Sequence, residues 1–166
     1  MIPNLRVVAL LVAVALAGCE SIDKHPQTQE EFISQMKGGG LFTNKEQVVV
    51  KRSIKTVVAD TRQFAAGCLE VDVSRKLRRE AASSTQYRPT IATQAGVTTL
   101  SVQELYNGKP SRGAPPGGMY SFVAEMRPAG AGATQIDAYW ISTRGKMLTG
   151  LKSWLDGQKD RCPALD

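Results

Sequence analysis

From residue 30 onward the chain switches between two hydrophobic periods. Residues 30–37 carry Phe32, Ile33 and Met36 at helical spacing and run into Gly38-Gly39-Gly40, which predicts a short helix with a firm stop. Val48, Val49 and Val50 in a row predict a first strand over 47–52. Ser53 is then a fitting cap for a long helix. In that helix Ile54, Val57, Val58, Ala65 and Cys68 share one stripe, Lys55, Asp60 and Arg62 lie largely off it, and Gly67 weakens its end. Leu69, Val71 and Val73 alternate with Glu70, Asp72 and Ser74, the period of a half-buried strand. Residues 87–94 and 97–105 predict two strands joined as a hairpin at Ala95-Gly96. In 119–127, Tyr120, Phe122, Ala124 and Met126 face one way and Ser121, Val123, Glu125 and Arg127 the other. In 135–142, Ile136, Ala138 and Trp140 alternate with Gln135, Asp137 and Tyr139. The last element is a helix over 146–156, with Met147, Leu148, Leu151, Trp154 and Leu155 on one face and Gly157 just past its end.

This order predicts an α+β domain over 47–166: an antiparallel meander of about five to six strands, with two main helices packed on one face. In outline it is similar to helix-grip domains, including those of the lipoprotein of the outer-membrane β-barrel assembly machinery. Between the strands, residues 107–118 hold three prolines and four glycines and form the longest irregular loop, the element most expected to move. Ahead of the domain, residues 19–46 read as a polar tether followed by the short helix. The single histidine, His25, falls in that tether, where a solvated side chain is expected rather than a catalytic base.

The first residues obey a different pattern. After Arg6, residues 7–17 contain only Val, Ala and Leu, and small residues precede Cys19. A spanning helix needs about 20 apolar residues, so this run suits the core of a cleaved signal over 1–18. Leu16-Ala17-Gly18-Cys19 resembles the lipobox of bacterial lipoprotein precursors at all four positions. The resemblance implies cleavage before Cys19, a diacylglyceryl group on its thiol and an acylated amine. Two or three acyl chains hold a protein on a bilayer where one chain does so only marginally. The residue after the cysteine is Glu20 and not the Asp that favours inner-membrane retention, so the resemblance points to the periplasmic face of the outer membrane. The alternative is an ordinary secretory signal cut elsewhere, with Cys19 incidental.

Composition changes this picture little. Removing residues 1–18 from 166 leaves 148, with Arg6 the one charge lost, so the mature chain carries 20 basic and 15 acidic side chains. That excess suits an anionic surface and also plain solubility. It concentrates in Arg75, Lys76, Arg78 and Arg79, which read either as a contact for an anionic surface or as a solvated strand end. With Cys19 consumed by lipid, Cys68 and Cys162 are left as a pair, and export makes a disulfide between them the default over two buried thiols. Such a bridge closes a loop of about 95 residues, which chain entropy values at about 4 to 5 kcal/mol.

Candidate chemistry is sparse. The chain has no nucleophile elbow, phosphate loop, zinc-type His pair or CxxC, so no catalytic residue, metal, cofactor or nucleic-acid partner is expected. Glu125 and Asp137 could sit on neighbouring strands like a glycosidase pair, but on a polar face, where pairing with Arg127 or Arg144 is the commoner outcome. Three functional classes follow: a non-catalytic envelope lipoprotein that binds a protein partner, a carrier or sensor of an apolar or anionic envelope ligand, and a cell-wall hydrolase.

Overall fold

The structure, a computed structural model, describes residues 25–40, 42–75 and 83–165. Within them six strands form one antiparallel sheet: β1 (Thr43–Val50), β2 (Asp72–Arg75), β3 (Ser83–Gln94), β4 (Val97–Tyr106), β5 (Met119–Pro128) and β6 (Thr134–Ile141). β2 to β6 follow one another as a meander, and β1 pairs outside β6, so the order is β1-β6-β5-β4-β3-β2. Three helices, α1 (Gln29–Gly38), α2 (Ile54–Phe64) and α3 (Gly145–Leu155), complete an α+β fold.

The larger core lies under α2 and α3. Val57, Val58 and Phe64 of α2 and Met147, Leu148, Leu151 and Leu155 of α3 pack on Leu100, Val102, Phe122, Ala124, Met126, Ile136 and Ala138 of the central strands. Burying each of the larger side chains contributes about 1.5 to 3 kcal/mol. The Ser53 side chain caps α2 by accepting the Thr56 amide at 3.3 Å. Past Phe64 the helix widens by one turn, Ala65–Leu69, closed by the Glu70 amide on the Ala65 carbonyl. Leu69 is therefore the end of the helical stripe and not the first residue of a strand. Burial beside Cys68 decides its place, and β2 starts only at Asp72. Asp60, off the stripe by periodicity, is nevertheless buried, between Arg52 at 2.6 Å and Lys159 at 2.7 Å. Burial pushes its carboxyl up, but the two cations outweigh that and hold it below the ordinary value.

The opposite face is not simply polar. Phe32, Ile33 and Met36 of α1 pack on Val123 and Tyr139, with Tyr120 and Ile141 alongside, so the short helix covers part of the second face instead of leading into the domain. Thr28 caps it by accepting the Glu31 amide at 3.2 Å. Tyr120 is on this face because the β4–β5 register slips: Val102 pairs with Phe122 but Gln103 with Tyr120, leaving Ser121 as an extra residue. The alternation read from 119–127 thus holds for Phe122, Ala124 and Met126 and fails at Tyr120, which meets Phe32 with ring centroids 6.1 Å apart.

Strand register decides what lies together at the sheet ends. Arg75 pairs with Ser83, Thr85 with Tyr106, Glu104 with Met119 and Thr43 with Ile141. One end of the sheet therefore gathers Phe42, Arg75, Ser83, the 107–118 loop and residues 142–144. The other end carries the Ala95-Gly96 turn, where both residues have positive φ as a two-residue hairpin demands, and the 129–133 turn. Where the long loop re-enters β5, Gly118 (φ 100°) lies so close to β4 that a Cβ would fall 2.3 Å from the Glu104 carbonyl oxygen.

Candidate functional site

At the loop end, beneath α3, β3 and β4 present Thr85, Tyr87, Glu104 and Tyr106 to one side, because Tyr87 pairs with Glu104 and Thr85 with Tyr106. Glu104 is wholly buried (0 % exposed), and Arg144, just before α3, closes over it. The guanidinium donates from Nε to Glu104 Oε1 at 2.5 Å and from Nη2 to Oε2 at 2.9 Å, a two-pronged pair. Tyr106 donates its hydroxyl to Glu104 Oε2 at 2.9 Å. Arg144 also sits over the Tyr87 ring, 5.4 Å from its centroid, and the Tyr87 hydroxyl donates to the Leu165 carbonyl at 3.0 Å. Hydrogen bonding to Glu104 holds Arg144 still further above its ordinary value, against the effect of burial. Burial, then the adjacent Glu104 charge, push the Tyr106 phenol up to about 12.

Beside this cluster opens a cleft of about 400 Å³, lined among others by Arg75, Ser84, Thr85, Tyr106, Asn107 and Arg144. Arg144 is committed to Glu104, so the cation turned to solvent here is Arg75, which ends β2 and is exposed. Of the four basic residues singled out from sequence, Arg75 is placed, while Lys76, Arg78 and Arg79 lie outside the described residues. So do Cys19 and the rest of the lipobox.

The two carboxylates that could imitate a glycosidase pair do stand opposite one another, Glu125 against Asp137. Arg127 reaches both, at 2.9 and 3.2 Å, and fills the gap where a sugar or water would have to sit. Arg144, the other partner expected for them, is instead taken by Glu104 on the far face. Cys68 and Cys162 lie at disulfide distance, with Cα atoms 5.1 Å apart, and fasten the C-terminal segment beside α2. Gly150 of α3 leaves room for that segment, since a Cβ there would meet Pro163 at 2.9 Å. Among the described residues no three His, Cys, Asp or Glu side chains gather as metal ligands, and no helix is long and apolar enough to cross a membrane.

A second feature lies at the sheet edge. Among the described residues β1 bonds only to β6, so the backbone groups along its outer side have no strand partner there over eight residues, whereas the β2 edge is four residues long. Phe42 (69 % exposed) and Val49 (58 %) lie at its two ends. Glu46 is drawn into an ion pair with Lys152 of α3, which leaves Lys45 as the free charge of the strand. The run of three valines marks the strand in the sequence, but not that it lies at the edge, which follows from the order of pairing.

No family model matches the chain, and neither does any curated protein. Among solved structures it is similar to a hypothetical protein from Helicobacter pylori, at 11 % identity with a TM-score of 0.41, over 84 % of this chain and 96 % of that one.

Proposed function

We propose that the chain is a non-catalytic lipoprotein of the bacterial envelope, anchored through Cys19 at the periplasmic face of the outer membrane, and that it binds a protein partner along β1. The anchor rests on the lipobox. The partner rests on one observation, the open eight-residue edge with Phe42 and Val49 standing out of it. A strand brought by a partner would satisfy the outward amides and carbonyls of β1, and the two exposed apolar side chains would add contact area. The helix-grip-like reading of the domain is supported by α2 and α3 packing together on one face of the sheet. A second reading, a carrier or sensor of an anionic envelope ligand, is favoured by Arg75 and the Ser84, Thr85 and Tyr106 hydroxyls around the cleft.

The test is site-specific photocrosslinking in intact envelopes. A photoreactive residue at Val49 gives a discrete adduct with one envelope protein, and the same residue at exposed Gln94, at the same end of the sheet but across it on β3, does not. Equal labelling from both positions, or none from Val49, defeats the edge as the partner site. An adduct-free Val49 together with retention of an anionic ligand by the purified protein, lost in Arg75→Gln, would favour the second reading.

A further inference from the structure

We propose that the loop end of the sheet rests on the anionic surface of the bilayer that holds the anchor. This depends on the lipid-anchor part of the proposed function and is independent of any partner at β1.

The argument starts from where the described chain begins. Gln27 Nε2 donates to the His25 carbonyl at 2.7 Å and to the Gly113 carbonyl at 2.8 Å, so His25 lies within a few ångströms of the 107–118 loop. Pro26 is buried, and Thr28 already caps α1, so the chain is fastened to the domain from this point on. Only six residue steps separate His25 from Cys19. Fully extended they span roughly 20 Å. β4 alone, ten residues at about 3.3 Å each, is roughly 30 Å long. A protein anchored at Cys19 therefore cannot turn the Ala95-Gly96 end to the membrane, whereas the loop end is within reach.

The chemistry of the reachable end fits such a surface. Arg75, Lys109 and Arg112 are exposed there, and Phe42 stands out at the start of β1. Arg144 adds no free charge, being neutralised by Glu104. The acidic groups nearby are Glu30 and Glu31 in the first turn of α1, and Glu31 is turned back to accept the Gln27 amide at 2.7 Å. Three solvent-facing cations and one aromatic ring at the level of the tether form a contact for phosphate-bearing headgroups, with the ring suited to the interface.

The experiment uses the lipidated protein reconstituted in vesicles and reads amide hydrogen exchange by mass spectrometry. Neutral phosphatidylcholine vesicles are compared with vesicles containing phosphatidylglycerol, at low and high salt. On anionic vesicles at low salt, exchange slows at residues 42–44 and 107–113 and is unchanged at 95–96 and 129–133. High salt removes the difference, because exposed charges are screened within about 8 Å at physiological ionic strength. Each basic side chain near an anionic surface is worth about fivefold, so the variant R75Q/K109Q/R112Q lowers the docked-to-undocked ratio roughly a hundredfold and exchanges as on neutral lipid. Equal exchange of the wild type on both vesicles, protection at the 95–96 end, or protection that survives the triple substitution overturns the proposal. Failure of the anchor itself is separate: the intact mature protein would then lack acyl mass and would not float with neutral vesicles.

Discussion

Arg144→Met should be among the most damaging single substitutions outside the apolar core. Methionine keeps an unbranched apolar stem but removes the guanidinium, and with it both the pair with Glu104 and the contact over the Tyr87 ring. Glu104 is then a carboxylate with no exposed surface that keeps the Tyr106 hydroxyl, at 2.9 Å, but loses both guanidinium donors. Removing one partner of a buried ion pair costs about 3 to 5 kcal/mol, because the charge left behind has neither its partner nor water. For a domain of this size each kcal/mol lowers Tm by roughly 3 to 4 °C, so the expected fall is about 10 to 20 °C. Glu104→Gln should cost less. The amide keeps the shape and can still accept, and the Arg144 side chain, 13 % exposed, can turn to water. The double variant Glu104→Leu/Arg144→Met should recover most of the loss, since an apolar pair of similar volume replaces the ions at little or no net cost. Urea denaturation of the four proteins closes a double-mutant cycle, with an expected coupling of at least about 2 kcal/mol. Additive effects, or less than about 1 kcal/mol for Arg144→Met, would refute the account, because the carboxylate would then have to be hydrated.

Two further expectations bear on the same region. Tyr106 holds its proton to about pH 12 when folded but releases it near 10 when unfolded, so its contribution is complete below pH 10 and is lost as pH rises toward 12. The stability advantage of wild type over Tyr106→Phe should accordingly shrink between pH 9 and pH 11.5, and an unchanged difference across that range contradicts a phenol raised by burial and by the Glu104 charge. Thiol titration of unfolded, unreduced mature protein should find neither Cys68 nor Cys162 reactive, and reduction should cost about 4 to 5 kcal/mol for a crosslink 94 residues apart; two reactive thiols would show that the pair is not bonded.

How much of this was legible in the chain depends on the range of the interaction responsible. The stripe from Met147 to Leu155, the hairpin at Ala95-Gly96 and the alternation from Phe122 to Met126 follow from residues within one or two turns of each other, and the structure places them much as the periods predict. The bulge at Ser121 escaped because one inserted residue leaves the segment apolar on both faces. Val123 and Tyr139 were the available signal: two large apolar side chains on a supposedly polar face need a cover, and α1 supplies it.

The sequence by itself determined the α+β class, most helix and strand positions, the pairing expected of Cys68 and Cys162, and the lipobox reading, because each is written in neighbouring residues or in a count. Only the tertiary structure decided that Glu104, in an alternating strand with nothing to mark it, is buried under an arginine forty positions away. Only it decided that Arg127 sits between Glu125 and Asp137, and that β1 is an edge. It also brought His25, Arg75 and Arg112 to one end of the sheet. These are consequences of strand order and register, which arise when segments far apart in the chain bury their apolar faces together, and no local period records them.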